Sequence, residues 1–164
     1  FDSINEIELP SNKTFKINNK NLNEMLNLDK GPYTFTILSL LYPNLKYGQV
    51  KFHQDHLHPA SFFTRAKLAK LGLNEEEIGL WQSEKDKLAN LQLLEGKENE
   101  SKNKTPLREW VENKENVEDK EKYFKENYFP EGVSLDIKSF NQFYDQRKKI
   151  LLNKIKKLLE IEGE

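Results

Sequence analysis

The stretch "VKFHQDHLHP" (50–59) holds all three histidines of the chain, with Asp55 among them and Pro59 at its end. Val50 and Phe52 alternate with polar neighbours just after the glycine turn at "YG" (47–48), the period-two pattern of a half-buried strand. In an ideal strand His53 and Asp55 share one face while His56 and His58 share the other. Asp55 and His56 can therefore serve one site only where the chain bends. Pro59 cannot donate to a ladder and biases His58 toward extended backbone, so the strand is expected to end near Asp55, with carboxylate and imidazole facing one cavity.

Working outward, "YTFTILSLLYP" (33–43) is the most apolar stretch, too long for an ordinary strand, and reads as a buried helix. Before it, Leu22, Met25, Leu26 and Leu28 predict one short helix in an Asn/Lys-rich segment that Gly31 and Pro32 interrupt. After it, Phe62, Ala66, Ala69 and Leu73 stand at helical spacing, and Asn74 lies three residues before Glu77 as in a capping box, which predicts helices over about 60–71 and 75–88. "NLQLL" (90–94) reads as a second strand, stopping at a turn at "EG" (95–96), and "ENESKNKTPLREWVEN" (98–113) as helical, with Pro106 restricting where a helix can run. One short helix and one long amphipathic helix, with Phe140, Phe143, Tyr144, Ile150, Leu151, Ile155, Leu158 and Leu159 on its apolar face, complete the chain.

At 164 residues and 36% hydrophobic, the chain is expected to fold as one domain with a modest core. Its 26 Lys+Arg against 27 Asp+Glu leave no global field for nucleic acid or membrane, so a charge-based partner must be read from local clusters. The absence of cysteine excludes disulfides, thiolate zinc sites and a cysteine nucleophile. A metal would have to use His, Asp, Glu or Asn. No apolar run approaches the roughly 20 residues that span a bilayer, and "FDSINEIELP" has no signal-peptide pattern, so the expectation is a soluble, cytoplasmic protein without a membrane partner. With no initiator Met, the chain is expected to be a piece of a longer polypeptide.

The second motif is "NLQLLEGKENESK" (90–102), in which Asn90 and Asn99 are nine residues apart and Lys102 follows three after Asn99. If a helix begins near Asn99, Lys102 lies one turn on and on the same face. Asn99 can then cap that helix or offer its amide oxygen to a metal, and the helix N-terminus with Lys102 would suit a phosphate.

Together, "DHLHP" (55–59) and "NLQLLEGKENESK" resemble the HNH, or ββα-metal (His-Me finger), endonucleases, and the arrangement D-H-x-x-P plus N-x8-N-x-x-K is similar to the HNH domain of CRISPR effector nucleases. Over about residues 37–111 the chain more closely resembles the C-terminal HNH portion of GmrSD-like modification-dependent restriction proteins. The resemblance implies an α+β, mostly helical fold. Its HNH core would span 49–112 with a helical insertion at about 60–88, between a helical N-terminal flank (1–48) and C-terminal helices (113–164). The function it implies is metal-dependent cleavage of DNA, modified DNA included, as the cutting domain of a restriction or phage-defence protein whose regulatory or NTP-sensing part lies upstream. An HNH site cuts one strand, so double-strand cleavage would need two sites or a homodimer.

Carried over residue by residue, the resemblance makes Asp55 and Asn99 ligands of one divalent cation, His56 the general base and Asn90 a brace for the loop, with Lys102 completing the catalytic set. An imidazole with a pKa of about 6.5 can take a proton from water near neutral pH. Two oxygen ligands, with other positions left to water and phosphate, suit Mg²⁺ or Mn²⁺, and a cation there would stabilise charge on the phosphate and leaving oxygen. A His at position 99 would have shifted the preference toward zinc or nickel. The chain departs from compact HNH domains in its long link from His56 to Asn90 and in its extra imidazoles.

His53 reads as a third metal ligand, as a group orienting the base, or as a half-buried strand histidine. His58 packs or faces solvent. Lys102, Arg65, Lys67 and Lys70 could meet a DNA backbone, and so could "RKK" (147–149) and Lys154, Lys156 and Lys157, with a solvated face as the default reading of that last helix. Trp81 and Trp110 read as packing residues. Two rival functions stand beside the nuclease: a catalytically silent nuclease-fold module that binds DNA or a protein, and a structural metal or zinc site on His53, Asp55 and His58.

Overall fold

The computed structural model describes residue 17 and residues 19–159. The fold is α+β and mostly helical, with one two-stranded antiparallel sheet. Helices α1 (Asn19–Leu26) and α2 (Pro32–Leu41) precede β1 (Phe52–His56). A 3₁₀ turn (Ala60–Phe62) and helices α3 (Arg65–Lys70) and α4 (Glu75–Glu84) follow. A second 3₁₀ turn (Leu88–Asn90) leads into β2 (Leu91–Glu95) and directly into α5 (Gly96–Lys102). Then come α6 (Leu107–Glu112), α7 (Lys120–Glu126), a 3₁₀ turn (Ile137–Ser139) and α8 (Phe140–Leu158).

β1 and β2 pair in the register Phe52 with Glu95, Asp55 with Gln92 and His56 with Leu91, and α5 packs on both strands. The inserted helices α3 and α4 occupy the long connection between the strands. Val50 is exposed and outside β1, and the strand runs through His56 rather than ending at Asp55. The chain bends at Leu57, yet the hydrogen bonding reaches one residue beyond the strand, because the Leu57 N–H donates to the Asn90 carbonyl at 2.8 Å.

Side-chain caps fix the starts of α4, α5 and α7. At α4, Asn74 Oδ1 accepts from the Glu77 N–H at 3.0 Å, and the Glu77 carboxylate accepts from the Asn74 N–H at 2.8 Å. This capping box, with three glutamates in the first turn, satisfies donors at the positive end of the helix dipole. The first inserted helix is shorter than its apolar spacing predicts. Pro59 opens a 3₁₀ turn instead, so Phe63 and Leu68 turn inward while Ala66 and Ala69 are exposed. Gly96 is not in a turn but is the first residue of α5, so Asn99 lies inside that helix and does not cap it.

Two apolar clusters flank the sheet. The larger joins α1, α2, α4 and α8 to Phe52, Leu91 and Leu93 of the strands. The smaller gathers Leu57, Leu107, Trp110, Val111, Val117, Phe129 and Phe143. The long helix α8 serves both, burying Phe140, Phe143, Tyr144, Arg147, Leu151 and Ile155 at helical spacing. Arg147, expected on a solvated face, is fully buried. Its guanidinium donates to the carbonyls of Ala89 at 2.8 Å and Asn127 at 3.0 Å and to the Tyr42 hydroxyl at 3.2 Å. Five fixed donors and a weakly hydrated charge suit Arg to gather buried carbonyls in this way. Burial pulls its pKa below the usual value, and burial pushes the Tyr42 hydroxyl up to about 12.

Candidate active site

Asp55 sits on the face of β1 that meets α5, and it is buried. Its Oδ2 takes the Lys102 ammonium at 2.8 Å and the Gln92 amide at 3.1 Å, and Tyr123 in turn donates to Gln92 Oε1 at 2.9 Å. All these bonds fall on Oδ2 and leave Oδ1 to other partners. Lys102 is wholly buried, and besides Asp55 it reaches the backbone carbonyls of His56 and Leu57. Burial pulls its pKa below the ordinary lysine value, against the carboxylate that holds it charged. The expectation that Lys102 meets a DNA phosphate is therefore corrected. Three inward acceptors draw the ammonium down into the strand end, where it closes the turn after β1.

His56 projects from the opposite face of β1. Its Nε2 contacts Asp86 Oδ1 at 2.7 Å, in the segment following α4. Burial lowers the pKa of His56, the Asp86 bond raises it and Lys30 lowers it, with a net downward shift that keeps the ring neutral at neutral pH. For Asp86, burial pushes the carboxyl up, but hydrogen bonds from Lys85 and His56 more than offset it and hold it below its usual range. Asp55 and His56 are thus neighbours at the end of β1 whose side chains leave on different faces. The bend that would have aimed both into one cavity begins only after His56.

Asn90 is fully buried beside this turn. Its Oδ1 accepts the His58 N–H at 3.0 Å, and its Nδ2 donates to the carbonyls of His58 at 3.0 Å and Lys85 at 2.7 Å. These bonds tie the loop after β1 to the segment that follows the helical insertion. His58 is also buried, its ring edge-on to Phe140 and Phe143. Among the described residues no three His, Cys, Asp or Glu side chains gather closely enough to hold a metal. The zinc site on His53, Asp55 and His58 is therefore not assembled by this fold.

Asn99 stands one turn before Lys102 on α5. Among the described residues its side chain makes no hydrogen bond, so its amide oxygen is available to a ligand. His53 shares the Asp55 face of β1, with its Nε2 3.8 Å from where a Cβ on Gly96 would stand. Arg65 and Lys67 lie exposed on α3, engaged with the Glu75 carboxylate at 2.9 Å and the Ser61 carbonyl at 2.8 Å. Trp81 and Trp110 are buried in the two clusters.

Asp86, Lys85, Gln92, Tyr123 and Arg147 carry much of this geometry, and none was singled out from the sequence as a site residue. A carboxylate four residues before Asn90 was the one available signal for Asp86. No protein-family model matches the chain, and no curated protein matches it. No helix among the described residues is long and apolar enough to cross a membrane.

Proposed function

We propose that the chain is a metal-dependent endonuclease module that hydrolyses DNA phosphodiesters, the cutting part of a restriction or phage-defence protein. The observation that carries this reading is the order of parts: a first strand ending in Asp55 and His56, Asn90 bracing the loop beyond them, and α5 bringing Asn99 and Lys102 across both strands. The donors suit a hard divalent cation, because Asp55 keeps Oδ1 and Asn99 its amide oxygen. Lys102 beside them would make such a cation weakly held and exchangeable. When bound, Mg²⁺ or Mn²⁺ would supply charge stabilisation to the phosphate and leaving oxygen.

His56 would take the proton of the attacking water on Nδ1 as the water oxygen adds to phosphorus. The Nε2–H would remain against Asp86, stabilising the imidazolium. The phosphorus–oxygen bond to the leaving group would break, and that oxygen would take its proton from solvent. Because Asp55 and His56 leave β1 on different faces, the scissile phosphate would lie across the end of the strand.

A second reading, a catalytically silent nuclease-fold module that binds DNA or a protein, is favoured by one observation. The Asp55 carboxylate is already neutralised by a buried lysine. Nicking of supercoiled plasmid in Mg²⁺, Mn²⁺ and EDTA, with His56→Ala and Asn99→Ala alongside, separates the two. Metal-dependent nicking lost in both variants supports the nuclease. Nicking that survives His56→Ala, or binding to DNA with no nicking at all, favours the silent module or a contaminant.

A further inference from the structure

The structure assigns Asp86 as the positioning residue of His56: it fixes the ring proton on Nε2 and leaves Nδ1 as the proton acceptor. A carboxylate has no proton to give, so the 2.7 Å contact between Asp86 Oδ1 and His56 Nε2 requires the proton to be on the imidazole nitrogen. Among the described residues the side-chain hydrogen bond of His56 runs through Nε2 to Asp86. The tautomer follows from the partner, as it does for imidazoles held by carboxylates in general.

An exposed ion pair could produce the same distance by accident, but Asp86, with about a third of its side chain exposed, is held through both carboxylate oxygens and its main chain. Its second oxygen, Oδ2, takes the ammonium of Lys85. Its backbone carbonyl accepts from the Lys30 N–H at 2.7 Å, and Asp29 and Lys87 form a bridge beside it. The carbonyl of Lys85, one residue earlier, is bound by the Asn90 amide. The side chain and main chain of Asp86 are therefore fixed to both the loop brace and the entry to α2. Asp86 also lines an open cavity of about 850 Å³ with Lys30, Gln54 and Lys87, so solvent has a route to this face of β1.

The catalytic consequence rests on the nuclease reading, whereas the tautomer does not. The test is ¹⁵N NMR of the histidine ring nitrogens in the full chain, at a pH where all three rings are neutral. In the wild type His56 should show a single tautomer protonated at Nε2. Asp86→Ala should give a mixture of tautomers. Asp86→Asn should move the proton to Nδ1, because the Lys85 ammonium claims the amide oxygen and leaves the NH₂ to face Nε2. Unchanged His58 signals report that each variant is folded.

In the plasmid assay Asp86→Asn should lower kcat about 10- to 100-fold with KM little changed, the usual range for a group acting through a first-contact residue. Asp86→Glu, which restores an acceptor-only carboxylate, should recover the Nε2 tautomer. A wild-type His56 protonated at Nδ1, or a tautomer that is the same in wild type, Asp86→Ala and Asp86→Asn, overturns the assignment. Wild-type chain that shows the expected tautomers without nicking overturns the nuclease reading and leaves the positioning intact.

Discussion

His58 offers the most direct test of how this fold treats its histidines. Only 2% of the residue is exposed, its ring stands edge-on to Phe140 and Phe143 at 5.6 and 5.1 Å, and among the described residues its Nε2 has no partner. Burial first, and then the charge of Lys102, push its pKa from 6.5 down to about 3, with Asp136 pulling weakly the other way. The unfolded chain therefore binds a proton that the folded chain refuses between about pH 6.5 and pH 3, and stability must fall as the pH drops through that window. From the unfolded value of about 6.5, the loss between about pH 7 and pH 5 is roughly 2 kcal/mol for this one residue.

The perturbation is His58→Phe, which keeps an aromatic ring against Phe140 and Phe143 and leaves the Asn90 bonds to the position 58 backbone in place. Urea unfolding of wild type and variant at both pH values gives the double difference. The wild type should lose roughly 2 kcal/mol more than the variant on acidification, and other titrating groups cancel. At neutral pH the variant should be as stable as the wild type or more so, since a buried nitrogen without a partner is removed. Equal acid sensitivity in the two proteins would refute the account, because it would mean that His58 can charge in the folded state.

The remaining predictions concern the buried polar groups. Lys102→Met leaves the Asp55 carboxylate buried without its partner and should cost about 3–5 kcal/mol in chemical denaturation, much of it recovered when Asp55→Asn is added. Asn90→Ala strips partners from the His58 N–H and from two carbonyls, and should cost roughly 3 kcal/mol or more by the same measurement. Arg147→Met, similar in length but without donors, leaves the Ala89 and Asn127 carbonyls unpaired and should lower the thermal midpoint far more than Lys149→Met on the exposed side of the same helix. Asn74→Ala removes only a cap and should cost about 1 kcal/mol, a scale for the others.

The elements were legible where the sequence signal is local. The α4 capping box, the apolar α2 stretch and the amphipathic α8 follow from residues within a turn or two of one another. The β1 boundary did not, because it depends on β2, some 35 positions away, whose pairing extends the ladder to His56. The face of α3 was misjudged for a related reason: the 3₁₀ turn after Pro59 reset the helical phase, so that Phe63 and Leu68 replaced Phe62 and Ala66. Of the candidate site, the resemblance implied a brace at Asn90, and the sequence left His58 either packed or facing solvent. The Asp55–Lys102 pair and the His56–Asp86 pair were not legible, because each joins residues that only the tertiary fold brings together.

Lys102, Asn90 and Arg147 also decide what can move. Lys102 holds the carbonyls of His56 and Leu57, the Asn90 carbonyl holds the Leu57 N–H, and the Asn90 side chain holds both backbone groups of His58. Every residue from 56 to 58 is therefore tied by its main chain, and Arg147 fixes the Leu88–Ala89 segment from which Asn90 is presented. Such a loop has little freedom to swing Asp55 and His56 onto a common face. If the chain cuts DNA, the adjustment must come from the side chains or the substrate. The Asp55–Lys102 contact is the one to follow: a cation arriving at Oδ1 competes with Lys102 for the same carboxylate. Lys102→Met, in a background stable enough to tolerate it, should then bind Mn²⁺ more tightly than the wild type, as read by paramagnetic broadening of Asp55 and Asn99 signals. Broadening that is no stronger in the variant, or that falls on other residues, would remove Asp55 and Asn99 as the cation's ligands.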